Sequence, residues 1–392
     1  MSEISRRNFL LTTVASGLSF SAAAQLSASS KNKLYRAGII GRTGRGDYGH
    51  GFDAVFQGLA NVTVEAIADE NTTGLKAAAA RSGAKRQYAD YRVMLEKERL
   101  DIVAIGPRQP DCHKEMALAA IGAGAHVYLE KPMTETVADA DEIVRAARSK
   151  KVMVALAHTR RCTAEFVQIK QLLAQGLIGA VRRIEIDGKQ DSRAGGEDLI
   201  VLGTHDFDLL RFYFGDPVWC LASVTQDGRD IAETDAHRGR EPIIVAGDTV
   251  HAVFSFPGQV QAEWHSIKTS DRWNTNFSPR EKWAFVIHGT KGLLAYQSRF
   301  GFGWLNSPFV LQRPDELKWE ALPVPDGWPP PPEKVHPIRN LIAAIESGTT
   351  PVCSGEDGRW AVEMVSAVYQ AGLNKGRVSF PLKKRGNPFI GG

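Results

Sequence analysis

The sequence predicts an α/β chain of two domains, the first a parallel sheet with helices on both faces. Three observations carry this expectation. At 392 residues the chain is too long for one ordinary core. From about residue 34 to 157, apolar runs of strand length alternate with helical stretches. Those runs are continuously apolar, as strands buried on both faces are.

The first run, "LYRAGIIG", ends at Gly41, and the second, "VTVEAIAD", ends at Asp69. "LDIVAIG" and "AHVYLE" follow, and "KVMVALA" closes the series. Between them, "TTGLKAAAARSG" and "HKEMALAAIGAG" read as helices. Thr136 opens a capping-box pattern with Asp139, and Ala140, Ile143, Val144 and Ala147 then recur at helical spacing.

From 158 to 392 the pattern changes. "AEFVQIKQLLAQGLIG" is helical and "AVRRIEIDG" is a strand. "DTVHAVFSF", "QVQAEWHS", "KWAFVIHG" and "GLLAYQS" alternate as strands of a half-exposed sheet do, and "PIRNLIAAIESG" and "GRWAVEMVSAVYQAGLN" read as late helices. "DGWPPPPEK" is an extended connector, and "DGRDIAETDAHRGREP" reads as a solvated insertion. All eight tryptophans fall at or after position 219. They suit sugar stacking and core packing equally.

Composition excludes several classes. With 43% hydrophobic and 23% charged residues, this is a soluble globular chain. A net charge of +4 with no Lys/Arg block argues against a nucleic-acid partner. Four scattered cysteines make no CxxC pair, so neither a zinc cluster nor a disulfide framework is expected, and no metal ligand is assigned. At the N-terminus, Ser5-Arg6-Arg7 precede Phe9-Leu10, a modest apolar run and Ala22-Ala23-Ala24. This is the pattern of a twin-arginine signal peptide, too short to span a bilayer. The expected layout is signal and linker over 1–33, a nucleotide-binding domain over 34–157 and a substrate-binding and oligomerisation domain over 158–392. The mature chain is expected outside the cytoplasm without stable membrane insertion, exported folded with its cofactor tightly bound.

The cofactor expectation rests on "GRTGRGDYGHG". Gly41 and Gly46 fit the outer positions of G-x-G-x-x-G; the middle position is Thr43, with Gly44 one later. The loop follows a strand and is expected to open a helix, whose N-terminus would receive a pyrophosphate. Asp69 ends the next strand 23 residues past Gly46, where an acid accepts from ribose hydroxyls and repels a 2′-phosphate. NAD is therefore favoured. Arg42 and Arg45 keep NADP open.

Glu130-Lys131-Pro132 follows "AHVYL", and "GLIGAVRRIEI" and "GTHDFDLLRF" come later. Together with the Gly41 loop and "HTRRC", this order resembles the Gfo/Idh/MocA family (glucose–fructose oxidoreductase, inositol dehydrogenase and rhizopine-catabolism proteins). The resemblance implies a Rossmann domain followed by an α/β domain with a large, mostly antiparallel open sheet. It implies hydride transfer between nicotinamide and a hydroxyl carbon of a sugar or cyclitol, and a homodimer or homotetramer. Glu130, Lys131 and Pro107 are then expected at the cofactor, although "GPRQPDCH" places His113 farther from Pro107 than the family pattern does. Lys131 also makes sense chemically: burial at a strand end lowers a lysine pKa and lets it move protons near neutrality.

The histidine of the "GTHDFDLL" motif is His205, expected to face the substrate hydroxyl. Asp208, one helical turn on, is expected to share its face and orient it. The resemblance places an acid four residues before the histidine, and this chain has Val201 there. Glu197 or Asp198 substitutes only if the local turn brings it back. Arg160 and Arg161, after the closing strand, are candidates to hold substrate. Two further readings stay open: bond cleavage by transient sugar oxidation on a retained NAD, and a sugar- or nucleotide-binding relative without turnover.

Overall fold

The computed structural model describes residues 33–240, 243–269, 285–296, 309–312, 319–321 and 336–390. The signal segment, the connector "DGWPPPPEK" and Trp273, Trp283, Trp304 and Trp328 lie outside the described residues. Among the described residues, no helix is long and apolar enough to cross a membrane.

The first sheet contains β1 (Tyr35–Ile40), β2 (Val62–Ala68), β3 (Arg86–Tyr88), β4 (Ile102–Ile105), β5 (His126–Leu129) and β6 (Val154–Leu156). They are parallel throughout, in the order β3-β2-β1-β4-β5-β6. All four β4 residues are buried, which is why that run is apolar without alternation. Four helices cover the sheet: α1 (Thr72–Ser82), α2 (Tyr91–Lys97), α3 (His113–Gly122) and α4 (Val137–Lys150). The Thr136 side chain accepts from Asp139 N at 3.2 Å, as its pattern predicts.

One expectation fails here. No α-helix follows β1; only a 3₁₀ turn forms, at Phe52–Ala54. The reason is local. Gly44, Gly46, Gly49 and Gly51 all have positive φ, as does Asp47, and a right-handed helix cannot pass through such residues. The short β3, "RQY", was not visible in the sequence because its residues are mostly exposed and polar.

The second sheet follows α5 (Ala164–Ala174), β7 (Val181–Asp187), α6 (Gly196–Val201) and α7 (Gly203–Phe214). Its later strands are β8 (Trp219–Gln226), β9 (Arg229–Asp230), β12 (Thr249–Ser255), β13 (Gln261–Ile267), β14 (Phe285–Gly289), β15 (Leu293–Tyr296), β16 (Phe309–Gln312) and β17 (Trp319–Ala321). A separate pair, β10 (His237–Arg238) and β11 (Ile244–Val245), lies within the polar insertion and just after it. The chain ends with α8 (His336–Ser347), α9 (Gly355–Asn374) and β18 (Val378–Ser379). The large sheet runs β17-β16-β15-β14-β7-β13-β12-β8-β18, with β9 on β8. Only the β7–β13 pairing is parallel among the described strands of this sheet.

In β12 the inward residues Val250, Ala252 and Phe254 are buried and His251 between them is exposed. Phe207, Leu209 and Leu210 of α7 and Met364 and Val368 of α9 join that inner face. Each such side chain contributes roughly 1.5–3 kcal/mol on burial. The last helices also lean back on the first domain. Ile338, Leu341 and Ile342 pack with Tyr35 and Ala155, and Val362 packs with Val154 and Leu156. This return holds α7 against the carboxyl ends of the first sheet.

Candidate active site

Lys131 follows β5, joined to Pro132 by a cis peptide bond. It is 7% exposed, and its Nζ donates to the backbone oxygen of Val201 at 3.3 Å. Val201 stands where the resemblance leads one to expect an acid, and it meets Lys131 through its backbone carbonyl instead. Glu130 is fully buried and accepts from the Lys131 N–H at 2.8 Å and from His50 through both backbone and ring. Burial works to raise its carboxyl pKa, but His50 and Lys131 outweigh it and hold the group below its ordinary value. Glu130 thus ties the loop after β1 to the strand end. The buried His113 completes the support. Its Nε2 lies 2.6 Å from Pro107 O and its Nδ1 lies 3.0 Å from Pro132 O, so the long Pro107 loop is stitched to the lysine turn.

The nucleotide region lies at the carboxyl ends of β1 and β2. A cavity of about 230 Å³ there is lined by Gly41, Arg42, Asp69, Glu70, Arg92 and Glu115, among others. Gly41 is needed because a Cβ would sit 2.1 Å from the Tyr48 ring. Gly46 has φ +87° and a Cβ there would meet Arg108 N at 2.5 Å, in the loop after β4. The acid and the cavity fit an adenosine ribose. The expected helix N-terminus for the pyrophosphate is missing, so that contact falls to the turn around Gly44 and Gly46. Thr43 closes on Asp69, with its Oγ1 donating at 2.6 Å and its N–H at 3.0 Å. Asn71 N adds a third donor at 2.9 Å. Arg42 pairs with Glu70 at 3.0 Å and Arg45 pairs with Asp111, so both arginines that kept NADP open already have partners.

His205 lies on α7, half-buried. Burial, then the charges of Lys131, His158 and Arg160, hold its imidazole well below the ordinary value, so it is neutral at neutral pH. Its ring packs edge-on against His158, centroids 5.3 Å apart. Asp208 does not orient it. Asp208 is fully buried and accepts from Arg161 Nε at 2.7 Å, while its Oδ1 lies 3.5 Å from His158 Nδ1. Burial alone would raise the Asp208 carboxyl, but Arg161 and His158 hold it below its ordinary value. Arg161 also donates to Asp357 at 3.0 Å and is buried, so it clamps α7 to α9 rather than facing a ligand. Arg160 pairs with Asp206, which also accepts from Trp264 Nε1 at 3.0 Å.

The other acids also have structural partners. Asp198 is buried and accepts from Lys189 N at 2.6 Å and Ser266 Oγ at 2.9 Å. Burial raises its carboxyl pKa against the pull of Lys189. Glu197 accepts from Arg240 N at 3.0 Å, in the polar insertion. Neither carboxylate replaces the acid missing at Val201. Of the tryptophans, Trp264 is fully buried and Trp360 packs against Arg211, Arg359 and Phe380, which is core work and not sugar stacking. His50 and His113 hold the lysine turn and His158 packs against His205, contacts that the letters alone did not assign. "HTRRC" had placed His158 beside the two arginines after the closing strand, the one signal that could have found it.

A β3-β2-β1-β4-β5-β6 parallel sheet, a glycine turn and an acid at the second strand end define a dinucleotide-binding domain of the Rossmann type. Residues 35–158 match a model described as the oxidoreductase family with an NAD-binding Rossmann fold, and residues 166–295 match the GFO/IDH/MocA C-terminal domain. The chain belongs to the Gfo/Idh/MocA family, and its first domain is an NAD-binding domain. It is 28% identical to a 1,5-anhydro-D-fructose reductase of Ensifer adhaerens, across 67% of this chain and 74% of that protein. It is 25% identical to a myo-inositol 2-dehydrogenase of Thermotoga maritima, across 76% of this chain and 85% of that one. A levoglucosan dehydrogenase solved with NADH and L-sorbose superposes with a TM-score of 0.71 at 18% identity, covering 89% of this chain and 100% of that one.

Proposed function

We propose that this chain transfers hydride between NAD and a hydroxyl-bearing carbon of a sugar or cyclitol, with Lys131 and His205 handling the hydroxyl proton. One observation carries the reading: Lys131 Nζ reaches from the first domain to Val201 O, four residues before His205. Lys131 follows β5 at the carboxyl end of the first sheet, where ligands bind such sheets. The names of the relatives, a reductase and a dehydrogenase of small polyols, support the substrate class.

Bound NAD supplies the hydride acceptor at the nicotinamide ring, and the residues around it do the rest. The Lys131 ammonium, held at Val201 O, would hydrogen-bond a substrate oxygen and favour its deprotonated form. His205, held neutral, accepts the departing proton. Glu130 and His113 fix the lysine turn. Mass spectrometry of the as-purified protein for nucleotide, then a sugar panel read by nucleotide absorbance, tests the reading. Absence of both binding and turnover overturns it.

Export by the twin-arginine route belongs to the same proposal and rests on Ser5–Leu10 and the run that follows. Residues 1–33 fused to a reporter should direct export, and replacing Arg6 and Arg7 by lysine should stop it. The homo-oligomer is likewise proposed: the outward sheet face carries exposed Leu221 and His251. A monomer in light scattering would overturn that.

A further inference from the structure

Behind His205, three side chains distant in sequence converge in the interior. His158 follows β6, Asp208 lies on α7 and Cys353 precedes α9. They are 1%, 0% and 2% exposed. His158 Nδ1 is 3.5 Å from Asp208 Oδ1, and Cys353 Sγ is 3.8 Å from the same oxygen. All three ligand atoms lie within 4.8 Å of one another. Among the described residues, neither ring nitrogen of His158 has a hydrogen-bond partner. A buried imidazole left without a partner is costly unless something else satisfies it.

We propose that His158, Asp208 and Cys353 form a site for one divalent transition-metal ion of the zinc class. The donor set is imidazole, carboxylate and thiolate, which suits zinc and excludes magnesium or calcium. Around a tetrahedral ion with bonds of about 2.0–2.3 Å, ligand atoms lie roughly 3.3–3.8 Å apart. The two measured separations fall in that range. Both ligands that meet Asp208 Oδ1 thus already stand at tetrahedral spacing from it.

Charge balance supports the same reading. Arg161 occupies Asp208 Oδ2 at 2.7 Å, which leaves Oδ1 turned toward His158 and Cys353. Arg161 is itself countered by Asp357 at 3.0 Å. One divalent ion with the Asp208 carboxylate and a Cys353 thiolate is neutral, and the Arg161–Asp357 pair is neutral beside it. Without an ion, Cys353 is a thiol whose S–H donates to Asp208 Oδ1 at 3.8 Å. Binding therefore releases the Cys353 proton to solvent. The three residues come from positions 158, 208 and 353, which explains why no spacing motif announces them. The proposal does not depend on the hydride-transfer reading, since neither its residues nor its readout uses substrate.

The test uses the full untagged chain, stripped with a chelator and titrated with Co²⁺. One equivalent should bind, giving visible bands of a tetrahedral site and a near-ultraviolet thiolate-to-cobalt band. Zn²⁺ should displace it, and loading the stripped protein with Zn²⁺ should release one proton. In Cys353→Ser the near-ultraviolet band should vanish, and in His158→Ala stoichiometric binding should be lost. X-ray absorption of the zinc-loaded wild type should show one sulfur neighbour at about 2.3 Å, a readout that does not depend on the variants folding. Failure of the wild type to bind one equivalent, a sulfur-free shell, or a thiolate band that survives Cys353→Ser overturns the site.

Discussion

The lysine turn at Glu130–Pro132 and the helical segment at Glu197–Leu210 meet at Lys131 Nζ and Val201 O and both carry ionisable groups, yet they treat those groups in opposite ways. At the turn, the buried Glu130 is matched within its own domain by His50 and by the Lys131 backbone, and the lysine reaches out to Val201 O. In the helical segment the acids are spent on the scaffold: Asp206 on Arg160 and Trp264, Asp208 on Arg161, Asp198 on Lys189 and Ser266. His205 is left among cations without a carboxylate. A histidine close in sequence to four acids is therefore not a histidine paired with one.

The sharpest way to break this contrast is Lys131→Ala. If the turn delivers chemistry and the helix delivers scaffold, turnover should fall by about 10²–10⁴-fold, the usual range for a positioned proton-transfer group. Thermal unfolding should barely move. A variant that turns over substrate at the wild-type rate would remove Lys131 from the mechanism.

Asp208→Ala should do the reverse. Removing one partner of a buried pair leaves Arg161 uncompensated and costs roughly 3–5 kcal/mol. Denaturant midpoints read this directly. A stable, fully folded Asp208→Ala with lost activity would return Asp208 to the reaction and blur the contrast between the two regions.

Much of this was legible in advance, and the failures share a cause. Periodicity showed the first sheet because strands buried on both faces, such as Ile102–Ile105, must be apolar. Lys131 and His205 stood out because their motifs are local. What escaped was pairing between distant residues. Arg161 looked like a ligand-binding arginine until Asp208 and Asp357 closed on it from other helices. The helix after Gly41 failed for a local reason that was present in the letters: four glycines and Asp47 hold positive φ in eight residues, 44–51.

Thr43→Ala probes the nucleotide side more gently. The Thr43 hydroxyl competes for Asp69 at 2.6 Å, and alanine removes it without loosening the backbone. One neutral-to-charged hydrogen bond given back to the ribose should tighten NAD by roughly three- to tenfold, read by fluorescence titration. Weaker binding would mean that Thr43 organises Asp69 for the ribose and does not block it.

The smallest effect is a shift in pH. Oxidation requires neutral His205, and burial with Lys131, His158 and Arg160 places its pKa below the value of about 6.5 for a free imidazole. The acid limb of kcat/KM should therefore lie below pH 6.5, with the rate holding through neutrality and falling only as pH drops past the depressed pKa. Val201→Asp would add the missing carboxylate beside Lys131. An anion there stabilises the imidazolium, so His205 should titrate higher and the limb should move up by about one unit, equivalent to about 1.4 kcal/mol. The added carboxylate also neutralises Lys131 and removes part of the charge that now keeps His205 neutral. Both effects have the same sign. An acid limb that stays in place in Val201→Asp would show that position 201 does not reach His205.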